Sequence, residues 1–123
     1  MSFSFDKYES FARDLKDSNR EEDLRNSVSR GYYSFFHKMK KLVNLTGNQF
    51  ISHEDLIKKL KNQEELKNGI ALSQGMLKMK EERHLADYKT FLSKQGFQFD
   101  KVNLTLFWRR YDRLMELLEE ERN

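Results

Sequence analysis

The chain has no cysteine, which excludes disulfide staples and thiolate metal sites and leaves no mark of secretion. It has no proline and only five glycines, so few residues interrupt a helix along its 123 positions. Long apolar runs are missing as well; nothing approaches the roughly 20 residues of a membrane-spanning helix. The opening Met1-Ser2-Phe3-Ser4-Phe5-Asp6 has neither the basic flank nor the apolar stretch of a signal peptide. An excess of one charge is also absent. Lys plus Arg number 23 and Asp plus Glu number 20, and the resulting +3 is too mild to imply a nucleic-acid partner by itself. These absences predict a single cytoplasmic all-α domain over residues 1–123, with no membrane association.

What the chain does have is rings: ten Phe, five Tyr and one Trp. Rings on narrow stripes suit thin cores and interfaces alike. Tyr8, Phe11, Ala12 and Leu15 recur at helical steps and predict a first helix from Phe5 to about Lys16. Asn19 with Glu22 reads as the cap pair of a long second helix reaching about Leu45. Its buried face is marked by Leu24, Val28, Tyr32, Phe35, Phe36, Met39, Leu42 and Val43, and Asn44 to Asn48 reads as a stop and loop. Ser52 and Asp55 predict a capping box for a third helix carrying Leu56, Ile57 and Leu60, with a break at Lys61-Asn62-Gln63. A fourth helix is expected to bury Leu66, Ile70, Ser73 and Leu77 and to run to Arg83. In it, Gly69 and Gly75 either weaken the helix or admit a close neighbour.

Tyr88, Phe91 and Leu92 continue helical spacing, and Lys94 to Gln98 reads as a loop. The last helix is expected from Asp100, with Leu104, Phe107, Trp108, Tyr111, Leu114, Met115 and Leu118 on one face. The Phe107-Trp108-Tyr111 stripe reads as core or as a dimer seam. The acidic end, Glu119 to Asn123, opposes the helix dipole and is expected to fray. Helices of this length on short links predict an up-and-down bundle.

Two segments carry polar groups that a packed core does not need. Asn26, Arg30, Tyr33 and His37 follow one strip of the second helix. Arginine can bind phosphate through two nitrogens, and histidine moves protons near neutral pH. The strip therefore reads as a binding surface, or more plainly as an ion-paired arginine and an exposed histidine. In Arg83-His84-Leu85-Ala86-Asp87-Tyr88, Arg83 and Asp87 stand one turn apart and are expected to pair, with His84 turned to solvent. The plain reading is an ion-paired helix end over Tyr88. The Lys38-Lys40-Lys41 cluster could meet phosphate or simply be solvated. His53-Glu54-Asp55 reads as capping, and no spacing of His or carboxylates points to a metal or cofactor.

At these residues the chain resembles the HEPN superfamily (higher eukaryotes and prokaryotes nucleotide-binding). Ser29-Arg30-Gly31-Tyr32-Tyr33-Ser34-Phe35-Phe36-His37 is similar to the S-R-x-Y-Y-x-x-F helix of the small stand-alone branch related to the partner domain of minimal nucleotidyltransferases. Ser52-His53 is similar to that branch's Ser/Thr-His step, and Arg83-x-x-Ala86-Asp87-Tyr88 to its R-x-x-A-D-Y segment. The resemblance implies an antiparallel bundle of four or five helices, a homodimer, and a place in prokaryotic toxin–antitoxin, phage-defence or toxin–immunity systems. Its active members are metal-independent ribonucleases whose signature is Arg, four to six residues, then His. Here Tyr88, Lys89 and Thr90 stand where that His belongs, while Arg30 and His37 satisfy the spacing on an earlier helix. The resemblance thus implies a binding module with Asn26, Arg30, Tyr33 and Asp87 in its groove, holding a cognate protein, a nucleotide or RNA. The alternative it leaves is a diverged ribonuclease using Arg83, His37 and Tyr88. The second helix and the Arg83 segment are expected to face one another.

Overall fold

The computed structural model describes residues 5–18, 20–45, 50–87 and 101–122. Among these it is all helical: α1 (Phe5–Asp14), a 3-10 turn (Leu15–Asp17), α2 (Glu21–Leu42), α3 (His53–Asn62), α4 (Gly69–Asp87) and α5 (Lys101–Arg122). The expected readings at Asn19, Tyr88, Phe91, Leu92, Lys94 to Gln98 and Asp100 lie outside the described residues, as does most of the loop from Thr46. No described helix is long and apolar enough to cross a membrane.

Helix α2 stops three residues earlier than its apolar run suggests. Asn44 adopts a left-handed φ of 65°, which asparagine tolerates better than most side chains. The amides of Asn44 and Leu45 then turn back to the carbonyls of Lys41 and Lys40, at 3.0 and 2.9 Å, a Schellman closure. Ser52 caps α3 as its spacing implies, its hydroxyl accepting from the Asp55 amide at 3.1 Å. At α2 the N-cap residue, Arg20, makes no side-chain cap hydrogen bond. Instead, the Ser18 hydroxyl accepts from the Arg20 amide and donates to Asp23.

Helix α4 lies between α3 and α5 and also packs on α2. Its contacts fix the directions. Lys80 meets Glu54 of α3, Arg25 of α2 donates to the Ala86 carbonyl, and Arg110 of α5 pairs with Glu82. All three neighbours therefore run antiparallel to α4, and α2 and α5 run parallel to each other. The core is one cluster, with Val28, Tyr32, Phe35 and Met39 of α2 packed among Leu56, Leu60, Leu72, Met76, Phe107 and Tyr111. The Phe107-Trp108-Tyr111 stripe belongs to this core.

The apolar face expected for α4 is corrected. Ile70 is 58% exposed and Leu77 46%, while Leu72, Ser73, Met76, Met79 and Ala86 face inward. Apolar residues occur all round this helix, so spacing alone could not choose the side that α2 and α5 would cover. Phe11 likewise lies 49% exposed, while Ala12 is buried; the side chain of Tyr8 lies outside the described residues. Gly69 and Gly75 do admit close neighbours, the Leu60 carbonyl and the methyls of Leu114.

The acidic end of α5 is pinned rather than frayed. Glu121 accepts the backbone amides of Lys67 and Asn68 at 3.0 and 2.6 Å, and Asn68 Nδ2 donates to the Leu117 carbonyl and to Glu120. Carboxylates that oppose the dipole of their own helix thus satisfy the amides at the start of α4.

At Gly31 a Cβ would stand 2.8 Å from Phe107 Cε1 and 2.9 Å from Trp108 Cη2. Both are ring atoms locked in the core. Gly31→Ala should therefore destabilise the fold by about 1–3 kcal/mol of overpacking, offset in part by up to ~1 kcal/mol of helix propensity. A urea midpoint at or above wild type would refute this.

Candidate functional site at the α2–α3–α4 junction

Tyr32 is fully buried on α2, yet its hydroxyl reaches the rim of the core and hydrogen-bonds His53 Nδ1 at 2.5 Å. The His53 ring lies stacked with Tyr32 at 5.4 Å and with Phe36 at 4.5 Å between centroids. Placing His53 at the first position of α3, just after the Ser52 cap, fixes its backbone as well. Arg83 comes down from α4 with its guanidinium 5.4 Å from the Tyr32 ring centroid. The same guanidinium pairs with Asp87 at 3.1 Å, the one-turn pair that the spacing implied. Lys80, one turn earlier, pairs with Glu54 at 2.5 Å. Lys80, Arg83, His84 and Asp87 line an open groove of about 370 Å³ beside this cluster.

The electrostatics follow from the placement. Burial, then the charges of Arg83 and Lys80, hold the His53 imidazole below its ordinary value, against the pull of Glu54. Burial, partly offset by Arg83, keeps the Tyr32 phenol far above its usual range, so its hydroxyl stays protonated. The result is a neutral histidine with one nitrogen held by a buried hydroxyl, next to a permanent cation. Such a group can accept a proton, and the arginine beside it can hold an anionic oxygen.

The sequence-derived candidates divide. Arg83 and Asp87 belong to the cluster, and α2 does face the Arg83 segment, through Tyr32. Tyr33 and His37 lie farther along α2 and contact each other edge-on at 4.5 Å, with His37 also edge-on to Phe36 at 5.4 Å. They adjoin the cluster through Phe36. Burial, then Lys40, lowers the His37 imidazole too. Arg30 is turned to α1, its guanidinium 4.9 Å from the Phe11 ring centroid, and Asn26 is exposed. The strip of Asn26, Arg30, Tyr33 and His37 therefore does not converge on Arg83. Tyr88 lies outside the described residues. Of the lysine cluster, Lys38 pairs with Glu9 at 2.9 Å and Lys40 is buried over Phe36, so Lys41 alone is exposed.

Sequence reasoning assigned Tyr32 to the core and His53 to capping, and missed that they meet. The available signal was the polar end of a ring on an apolar face. It missed Arg25 as well, which is 8% exposed and ties α2 to the end of α4. Among the described residues no group of three or more His, Cys, Asp or Glu is placed to hold a metal ion. Comparisons with protein-family models, curated proteins and solved structures found no match for this chain.

A depressed imidazole pKa means that the folded state prefers neutral His53. Its contribution to stability is complete above the ordinary value near 6.5 and is lost as pH falls through the lower folded value. Glu82, raised by burial, titrates in the opposite sense from above 4.5. Denaturant unfolding should therefore show a loss of stability as pH falls below the ordinary imidazole value, and that loss should be shallower in His53→Gln. Parallel wild-type and variant curves would show that His53 is not held in this way.

Proposed function

We propose that this chain is a HEPN-like binding module of a prokaryotic toxin–antitoxin, phage-defence or toxin–immunity system, acting in the cytoplasm as a homodimer. Its working surface is the groove of Lys80, Arg83 and His84, backed by Tyr32 and His53. One observation carries this reading. The three sequence stretches similar to the HEPN branch lie far apart along the chain, and each supplies one member of the cluster: Tyr32, His53 and Arg83. A bundle built only for packing has no need to gather them at a groove.

The chemistry of the groove suits a phosphate-bearing ligand, a nucleotide or RNA, better than an apolar one. Arg83 is positioned by Asp87 and by the Tyr32 ring, which lowers the cost of ordering its fork for bidentate contact. A cognate protein would have to present an acidic group to the same place. In fluorescence anisotropy with a single-stranded RNA probe, Arg83→Ala should weaken binding about tenfold or more. Arg30→Ala, which loses a contact with Phe11, should leave binding near wild type. Equal affinity of wild type and Arg83→Ala would overturn the assignment.

A second reading is favoured by the position of His53. A ribonuclease that needs no metal requires a base for the 2′-hydroxyl and a cation for the phosphate. In this reading His53 and Arg83 are those two groups, His53 being one of the three histidines, with His37 and His84, that the sequence offers as a base reaching the cleft from elsewhere in the chain. This reading expects RNA cleavage in excess chelator, lost in His53→Gln and Arg83→Ala and kept in His37→Ala. Because the base must be unprotonated, the rate should hold down to below pH 6.5 and fall as His53 takes up a proton. Intact RNA after incubation with concentrated wild-type protein would sink this reading and leave the binding role standing.

A further inference from the structure

Among the described residues three aromatic rings lie exposed: Phe11, Tyr33 and Phe50. Phe11 lies against the Arg30 guanidinium. The other two both border the His53 cluster. Phe50 is 94% exposed, yet the chain just after it is held: Ile51 packs on the core, Ser52 caps α3 and His53 bonds Tyr32. Three residues of chain can carry Phe50 no more than about 11 Å from His53. Tyr33, 45% exposed, reaches the same histidine through rings. Tyr33, Phe36, His53 and Tyr32 follow one another nearly parallel, with interplanar angles of 27°, 22° and 7°. Arg83 stands at the Tyr32 end of this run, its guanidinium 5.4 Å from the ring centroid.

We propose that Phe50 and Tyr33 are base-stacking residues, each receiving an unpaired base of a strand whose phosphate sits at Arg83 and Lys80. The inference rests on the reading of that groove as a phosphate site, and it names what else the ligand must carry. Charge alone is a poor means of holding RNA here. The chain carries a net charge of only +3, and the two cations of the groove are already engaged, Arg83 with Asp87 and Lys80 with Glu54. An arriving phosphate competes with both carboxylates, whereas binding that rests on charge draws on many lysine and arginine contacts. Stacking adds affinity with no charge at all, because every base has a π-face. Phe50 suits that role: its ring has neither donor nor acceptor, so it can take any base.

The form of the ligand follows. Bases within a duplex stack on one another and turn only their edges outward, so a duplex offers these rings nothing. A mononucleotide has one base and cannot engage both rings. The ligand is therefore a single strand of several nucleotides, taken with little preference among bases. The residues lining the groove, Lys80, Arg83, His84 and Asp87, are all polar, so an apolar anchor of a protein partner has no seat there.

Fluorescence anisotropy of the full chain with a labelled oligouridylate of about ten nucleotides tests this. Phe50→Ala should weaken binding about tenfold and Tyr33→Ala severalfold. Phe50→Trp and Tyr33→Phe should keep the wild-type constant, because stacking uses the ring and not the hydroxyl; loss of folding would not give that pattern. Uridine monophosphate as competitor, and an RNA duplex of the same length, should each bind at least about tenfold more weakly than the single strand. The logarithm of affinity should fall against that of salt with a slope of about −1 to −2, the mark of one to three phosphate contacts on a single strand. Binding that Arg83→Ala weakens and that Phe50→Ala and Tyr33→Ala leave unmoved overturns the stacking role while the groove reading stands. Equal affinity for duplex and single strand overturns the stacking role as well. A wild type that binds no RNA overturns it together with the reading of the groove as a phosphate site.

Discussion

The missing Cβ at Gly31 is the constraint on which the arrangement turns. It lets Phe107 and Trp108 lie against the backbone of α2, so that α5 runs parallel to α2 at close range. From that contact Trp108 Nε1 reaches Ser27 Oγ at 2.9 Å, and the Ser27 hydroxyl donates on to the Ala12 carbonyl at 2.6 Å. One turn farther along, the Tyr111 hydroxyl meets Ser34 at 3.2 Å and Glu9. Two small serines on an apolar face thereby serve as the polar joints of three helices. Each is buried with a partner, as the cost of an unpaired buried hydroxyl requires.

The same contact decides how α1 is held. Among the residues of α1 whose side chains are described, Ala12 is the one buried, and charged and ring contacts add to its docking. Arg13 lies 4.4 Å from the Trp108 ring centroid and pairs with Asp112 at 2.6 Å. Glu9 accepts from Lys38 and Tyr111. Burial pushes its carboxyl up, but those hydrogen bonds and the nearby Lys38 and Arg13 charges outweigh it and leave the group below its ordinary value. With α1 and α5 covering one side of α2, the other side, with Tyr32 and Phe36, is left to α3 and α4. The groove is built there, at the place where a buried tyrosine turns its hydroxyl outward.

Arg83 and His53 illustrate why a groove of this kind is hard to read from a chain. Each has a sufficient local explanation. Arg83 pairs with Asp87 one turn away, and His53 follows a capping serine. Neither explanation is wrong, since both contacts exist. The relation between them is a third contact, with Tyr32, that closes only when α3 and α4 are both laid on α2. Arg30 shows the reverse. Its neighbours in sequence group it with the polar strip of α2, and the contact that sets its guanidinium against the Phe11 ring comes from α1.

The sequence by itself determined the class of fold, the extent of most helices and the inward faces of α2 and α5. Those depend on helical spacing, on breakers and caps, and on the contrast between apolar and charged sides, all of which are local. It also marked Arg83 and Asp87 as a pair, because a one-turn ion pair is local too. Only the tertiary structure decided which side of α4 is buried, because the first half of that helix has no charged residue and carries no contrast to read. The same holds for the acidic tail of α5, whose carboxylates serve the amides of another helix, and for the meeting of Tyr32, His53 and Arg83. Such contacts depend on the distance between elements that the chain separates by many residues, and no periodicity within one element encodes that distance.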